Sequence, residues 1–323
     1  MTMRLAVVFC GLLLAVVANS HAEEMPASFD WLEVVAFAGH QTDYSGVFVY
    51  QYDNRVETSS IIHVTEANGE YEKLESLDGP KREIISHDGK VWDYINHKMV
   101  LVGSKYVHSG FPSLLPEQLS ALKANYKARL LGVERVAGYN AQVILFQPQD
   151  NLRYSHKIWV HTDSGLLLKA AVLGDNNKVA EQYAFTQLQI GGKIDRSWVK
   201  ECDSAGADTK DLPPESAKDI KPIDSGWVAD MLPSGFRKTL EIERKMHGRH
   251  APVTQMVFSD GLSSISIFIE PNDRDEDDED GLSSRGAVNL YHKVLDKNLI
   301  TVVGEVPPRT VMQVLDSVRY NGK

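Results

Sequence analysis

Cysteine is nearly absent from this chain. Only two occur in 323 residues, Cys10 and Cys202, and the first lies in an N-terminal stretch that reads as removed on export. No intramolecular disulfide can then staple the mature fold, and a core of this size needs none. Cys202 reads as a buried or inert residue, with intermolecular pairing the sharper alternative. Basic charge is scarce too: 34 Lys and Arg stand against 44 Asp and Glu, a formal net charge of −10. That balance excludes the basic stripe by which proteins hold nucleic-acid phosphates.

Chemistry is equally hard to find. No glycine-rich phosphate loop, nucleophile elbow or dinucleotide fingerprint follows any predicted strand. Ser120-Ala121-Leu122-Lys123 has the Ser-x-x-Lys spacing of penicillin-recognising acyl enzymes, but Ser259-Asp260 is followed by Gly261 and Lys238-Thr239 by Leu240, so the partner motifs fail. The acidic run Asp273 to Asp280 ends at Gly281. If that glycine took its place in a calcium loop, the bidentate Glu position would fall on Ala287, so the run reads as a solvated loop. His156 and His161 fall on opposite faces of one strand. His247 and His250 sit in a turn without a carboxylate or thiol beside them, so neither pair has metal-ligand spacing. The expectation is a non-enzyme with no cofactor and no metal.

What the chain does have begins with Met1 to Ala22. One Arg, an apolar stretch from Leu5 to Val17 and the small-x-small sequence Ser20-His21-Ala22 predict a secretory signal peptide cleaved after Ala22. The apolar stretch is too short to span a bilayer securely. Cys10 lies inside it after Phe9, without the small residue that a lipoprotein signal places before its cysteine.

Between Gly132 and Gly191, short β-rich runs alternate with Gly, Asp, Asn and Pro turns, the pattern of an antiparallel meander. Alternate residues place Ile158, Val160, Leu166, Leu168, Ala170 and Val172 on one face and Lys157, Trp159, His161 and Lys169 on the other. A wholly apolar face on a large sheet must be covered by helices or by a ligand. On this ground Val143, Leu145, Ile158, Val160, Leu168 and Ala170 are candidates to line an apolar space accepting an acyl chain. Plain packed core is the other reading.

Residues 44–102 predict a first meander, broken at Asn68-Gly69, Asp78-Gly79-Pro80 and Asp88-Gly89. Helices are predicted from Ser28 to Gly39 and from Pro116 to Tyr126, giving one curved sheet of roughly ten strands with two helices over its concave side. Ser204 to Pro222 has almost no large apolar residue and reads as a flexible linker. Beyond it, a helical turn at Trp227 to Leu232, strands near 236–246, 254–259, 263–270, 286–294 and 299–305, and a helix from Pro307-Pro308 to Val318 predict a small α+β domain. The expected division is 1–22 signal peptide, 23–203 first domain, 204–222 linker and 223–323 second domain, with the two folded pieces independent of each other.

Several runs carry a family likeness. Tyr44-Ser45-Gly46-Val47-Phe48-Val49-Tyr50, Leu77-Asp78-Gly79-Pro80 with Arg82-Glu83, Gly132-Val133-Glu134-Arg135-Val136-Ala137-Gly138, Asp150 with Arg153-Tyr154, Trp159 and Gly165-Leu166-Leu167-Leu168-Lys169 resemble the RseB/MucB family. So do Leu232-Pro233-Ser234-Gly235-Phe236, Val257-Phe258-Ser259-Asp260-Gly261-Leu262, Phe268-Ile269-Glu270 and Val302-Val303-Gly304-Glu305-Val306-Pro307. The resemblance implies a first domain similar to the lipoprotein carriers LolA and LolB, an open half-barrel over helices. It implies a periplasmic negative regulator of the sigma-E envelope stress response, which binds the periplasmic segment of a membrane-spanning anti-sigma factor and shields it from proteolysis. Acyl-bearing lipid or lipopolysaccharide is the implied release signal. Cys202 and the acidic run are outside the pattern and inherit no role. A periplasmic carrier of lipid or lipoprotein is the alternative. Which lipid binds, which residues touch the partner and whether the chain is a homo-oligomer are left open.

Overall fold

The structure is a computed structural model that describes residues 30–87, 90–95, 98–104, 111, 119–199, 222–244, 251–272 and 280–322. The predicted signal peptide, Cys202, His247, His250, most of the linker and the acidic run up to residue 279 lie outside the described residues. Among those described, no helix is long and apolar enough to cross a membrane.

The first half is one antiparallel sheet of eleven strands, against the ten or so expected. Its first meander is β1 (Tyr44–Tyr52), β2 (Arg55–Glu66), β3 (Gly69–Ser76), β4 (Glu83–His87), β5 (Lys90–Ile95) and β6 (Lys98–Ser104). The second is β7 (Tyr126–Val136), β8 (Tyr139–Pro148), β9 (Ser155–His161), β10 (Leu167–Leu173) and β11 (Val179–Ile190). The strand order β6-β5-β4-β3-β2-β1-β11-β10-β9-β8-β7 means that every junction is a local hairpin except one. The first strand pairs with the last, from Tyr44 opposite Ile190 to Tyr52 opposite Glu181.

That single long-range pairing has a geometric consequence. β6 and β7 become the two outer edges of the sheet, and Phe111 belongs to the passage of chain that joins them. It lies against Phe48, Tyr183 and Phe185 at the middle of the sheet. Helix α2 (Leu119–Asn125) then delivers the chain directly into β7. Helix α1 (Asp30–Gln41) buries Trp31, Val35 and Ala38, spaced at four and three residues as one helical face requires. Both helices are close to where they were expected, and the sheet does not close into a barrel.

The second half is a six-stranded antiparallel sheet in the order β13-β14-β15-β18-β17-β16. Its strands are β13 (Arg237–Arg244), β14 (Val253–Ser259), β15 (Ser264–Pro271), β16 (Gly281–Arg285), β17 (Val288–Leu295) and β18 (Asn298–Gly304). Helix α3 (Pro308–Asp316) covers one face, with Val311, Val314 and Leu315 packed on Met256, Ile267, Ile300 and Val302. Pro308 starts it without losing a hydrogen bond, since the first helical N–H groups have no partner within the helix. Trp227 to Leu232 does not form a helical turn. Trp227–Ala229 is a short strand, β12, because the chain's last strand, β19 (Val318–Tyr320), supplies a ladder partner that local sequence could not reveal. The strand expected over 286–294 is β17, and an unexpected strand, β16, precedes it in a hairpin that turns at Gly286, where φ is +59°.

Candidate functional site

Three arrangements in the first half and at its border with the second are candidates for function. The first is the sheet face under the helices. Cross-strand partners share a face, and Ile144 pairs with Ile158, Ile158 with Ala170, and Ala170 with Tyr183. Ile144, Phe146, Ile158, Val160 and Leu167 pack with Trp31 and Val35 of α1 and Leu122 of α2, with Ala170 against them. Of the six candidate lining residues, Ile158, Val160 and Ala170 are therefore together beneath the helices.

Val143 and Leu145 are not with them. Val143 pairs with Trp159 and Leu145 with Lys157, which turns both to the opposite face. Leu168 is the extra residue of a β-bulge between Leu167 and Lys169, and it joins Val143, Trp159, Leu166 and Phe185 in a separate cluster. The expectation of one face holding all six is corrected on this point. A bulge shifts the alternation by one residue, and strand β8 is buried at every position from Ala141 to Phe146, so it has no polar face to fix its parity.

The other face of β8, β9 and β10 is dry as well, for a different reason. The Lys157 and Lys169 ammonium groups each lie 4.5 Å from the Trp159 ring centroid, and their aliphatic stems cover the sheet while the charges stay near water. Trp159 Nε1 donates to Glu134 Oε2 at 2.7 Å, and this bond holds the Glu134 carboxyl below its usual range.

The second arrangement, missed in the sequence, is an aromatic row. Tyr50 and Tyr183 stack at 4.3 Å between ring centroids, Tyr183 and Phe111 at 5.6 Å, and Phe111 meets Phe48 at 5.3 Å and Phe185 at 5.1 Å. Tyr50, Phe111 and Tyr183 are half-buried, so the row is part core and part surface. Period-two spacing of Tyr44, Phe48, Tyr50 and Tyr52 was the available signal. It did not locate the row, because the stack needs β11 beside β1.

The third arrangement is the seam between the halves. Arg153, in the turn after β8, donates through Nε to Asp260 Oδ2 at 2.7 Å, and its other nitrogens reach Asp150 and the Ser234 carbonyl. Tyr126 Oη donates to the same Asp260 oxygen at 3.0 Å, while Asp260 Oδ1 accepts the N–H groups of Leu262 and Ser263. His156 Nε2 lies 3.2 Å from Ser263 Oγ, and burial pulls its pKa down to about 4. Further along, Asn289 donates to Tyr154 Oη, and Arg309 makes two bonds to Asp175. Ala287 N–H and Tyr50 Oη both donate to Glu181 Oε2. The Arg153–Asp260 and Glu181 bonds are buried and the Arg309–Asp175 pair is exposed, and together they bridge the two halves.

Among the described residues, no group of three or more His, Cys, Asp or Glu side chains could hold a metal ion. His156 and His161 face opposite ways as expected, His156 in the seam and His161 beside Ser164 at the β9–β10 turn. Lys123 is exposed near the end of α2.

Fold and sites together define a predominantly β protein of two joined parts: a wide open antiparallel sheet with a helix-covered apolar face, and a smaller α+β domain locked to its rim. Residues 27–202 match the MucB/RseB N-terminal domain and residues 221–319 the MucB/RseB C-terminal domain, and the chain belongs to the MucB/RseB family. It is 31% identical over 317 residues to the sigma factor AlgU regulatory protein MucB of Pseudomonas aeruginosa, spanning 96% of this chain and 95% of the relative. To the sigma-E factor regulatory protein RseB of Escherichia coli K12 it is 24% identical over 306 residues, or 94% and 93% of the two chains. Its structure is similar to that of MucB in a crystal complex with MucA(peri), with a TM-score of 0.71 at 28% identity over 92% of this chain and 100% of that one. For a crystal structure of MucB the TM-score is 0.64 at 28% identity, over 91% and 98%.

Proposed function

We propose that this chain is an exported regulatory binding protein that holds the periplasmic segment of a membrane-spanning anti-sigma factor and shields it from the protease that begins its degradation. The observation that carries this reading is the full-length likeness to MucB bound to MucA(peri). The acidic composition and the lack of a nucleophile motif agree with masking rather than catalysis. Export follows cleavage after Ala22. The second domain, residues 223–323, contributes to holding the partner, and the first senses lipid.

Acyl-bearing lipid releases the partner by entering the apolar space beside Ile158, Val160 and Ala170, next to the half-buried aromatic row. Val143, Leu145 and Leu168, on the other side of the sheet or at its bulge, contribute indirectly by fixing the strands. Lipid and partner then compete through domain arrangement rather than by sharing residues.

Titrating the periplasmic segment of the anti-sigma factor against the mature protein, and against a chain ending at Lys210, tests the partner assignment. Tight binding by the first and a loss of at least tenfold in the second is the expected result. Equal affinity would remove the second domain from the partner site, and no binding to either would sink the reading. Ala170→Phe, which fills space without adding charge, tests the lipid path: partner binding should persist while lipid-triggered release fails. Unchanged partner binding with efficient lipid transfer between vesicles would favour the carrier alternative.

A further inference from the structure

The face of the first sheet turned away from the helices is a basic surface on an acidic protein. Strands β1 and β7 to β11 hold two acids, Glu134 and Glu181. Glu181 pairs with Val172, Val172 with His156, and His156 with Phe146, which packs under α1 and α2. Glu134, bonded to Trp159, is therefore the one carboxylate of these strands on the outer side. Four cations share that side with it. Arg129 pairs with Leu145 and Leu145 with Lys157, while Lys127 stands two residues from Arg129. Lys169 pairs with Trp159, two residues from Lys157.

Glu134 is already engaged. It accepts the Trp159 Nε1–H at 2.7 Å and lies 3.4 Å from Lys157 Nζ. Lys157 and Lys169 both lie over the Trp159 ring, which holds them on the sheet. Lys127 and Arg129 are exposed and make no ion pair among the described residues. Neighbouring like charges on a sheet face repel, and a chain of net charge −10 has carboxylates in plenty elsewhere. An anionic occupant supplies what this face lacks.

The layout of the charges selects the occupant. Arg129 and Lys157 stand two strand spacings apart, about 10 Å, with Leu145 between them, so they cannot close on a single phosphate. None of the exposed large apolar residues lies on β8, β9 or β10, and Trp159 and Leu145 are themselves buried. The face thus lacks the accessible aromatic or aliphatic anchor on which a protein interface depends. A laterally extended anionic surface, with no fixed register, fits it.

We propose that the outer face of β7 to β10 docks on an anionic phospholipid bilayer through Lys127, Arg129, Lys157 and Lys169. The contact is made at headgroup level and no acyl chain enters the protein, which separates it from the lipid path under the helices. Near such a surface each Lys or Arg contributes about fivefold to the affinity, and the attraction falls away within a Debye length.

The experiment sediments the mature protein with vesicles of phosphatidylcholine alone or with about 30% phosphatidylglycerol, at about 50 and 500 mM salt. The protein should pellet with the anionic vesicles at low salt, stay in solution at high salt, and leave the neutral vesicles unbound. Lys127→Gln combined with Arg129→Gln should weaken binding by roughly tenfold or more, while Lys127→Arg combined with Arg129→Lys, which keeps both charges, should bind as the parent does. Equal binding to both kinds of vesicle overturns the proposal in favour of acyl-chain capture. So does a Gln pair that binds as tightly as the parent. Two other occupants are read without vesicles: self-association that the Gln pair abolishes would assign the face to a second copy, and tight binding of polyglutamate would assign it to an acidic protein segment. Either result, with anionic vesicles left unbound, overturns the bilayer. The vesicles contain no protein, so failure here leaves the titration of the anti-sigma segment untouched.

Discussion

Arg153 and Asp260 are both completely withdrawn from solvent at the side chain, and the guanidinium Nε lies 2.7 Å from the carboxylate Oδ2. They are 107 residues apart in the chain, and each belongs to a turn of its own domain. Asp260 spends both oxygens, one on Arg153 and Tyr126 and the other on two backbone N–H groups of its own turn. The Arg153 guanidinium also lies over the rings of Tyr126 and Phe236, at 5.8 and 5.2 Å from their centroids. One pair thus ties the start of the second meander to the lip of the smaller domain.

Removing one partner from such a pair strands a charge away from water. Arg153→Met is expected to cost about 3–5 kcal/mol, whereas Arg153→Met combined with Asp260→Leu should cost much less, because no uncompensated charge remains. Chemical denaturation of the four proteins of the double-mutant cycle measures the coupling. A double variant as unstable as the single one would show that packing of the guanidinium, not its charge, holds the seam.

Cleavage between Ser204 and Pro222 should leave two folded pieces that stay together. Proteolytically nicked protein is expected to elute as one particle in gel filtration and to separate once Arg153→Ala is introduced. Dissociation of the nicked parent would mean that the covalent link, and not the seam, joins the halves.

His156 sets an acid limit. Its folded pKa of about 4 lies below the ordinary 6.5, so between those values the unfolded chain binds more protons than the folded one. The stability of the neutral buried ring is complete above pH 6.5 and is lost as pH falls toward 4, by at most about 3 kcal/mol. His156→Gln should flatten this part of the profile in thermal unfolding between pH 4 and 7. A variant with the parent's slope would assign the acid sensitivity elsewhere.

The β17–β18 turn is suboptimal. Asp296 and Lys297 both have positive φ, +48° and +63°, the geometry of a two-residue hairpin turn that favours Asp-Gly. Lys297→Gly relieves the left-handed strain at an exposed position and is expected to stabilise by about 0.5–1 kcal/mol. The β7–β8 turn already has this form, with Ala137 at +47° and Gly138 at +90°. No gain in melting temperature for Lys297→Gly would mean that the strain is offset in the unfolded chain.

Local sequence determined the hairpins, the two domain-spanning meanders, the covering helices and the last helix, because turn chemistry and apolar spacing act over a few residues. The runs that resemble the RseB/MucB family did the same for membership. Tertiary structure alone decided three things. The pairing of β1 with β11 brings strands from the two ends of the domain together, and without it the aromatic row does not exist. The parity of β8 and the bulge at Leu168 were decided by packing, since Val143-Ile144-Leu145-Phe146 and Leu166-Leu167-Leu168 contain no polar residue to mark a face. The seam was the third. Arg153, Asp260 and Glu181 are charged residues that no local pattern marks as buried, and the docking of one domain on the other takes them out of water.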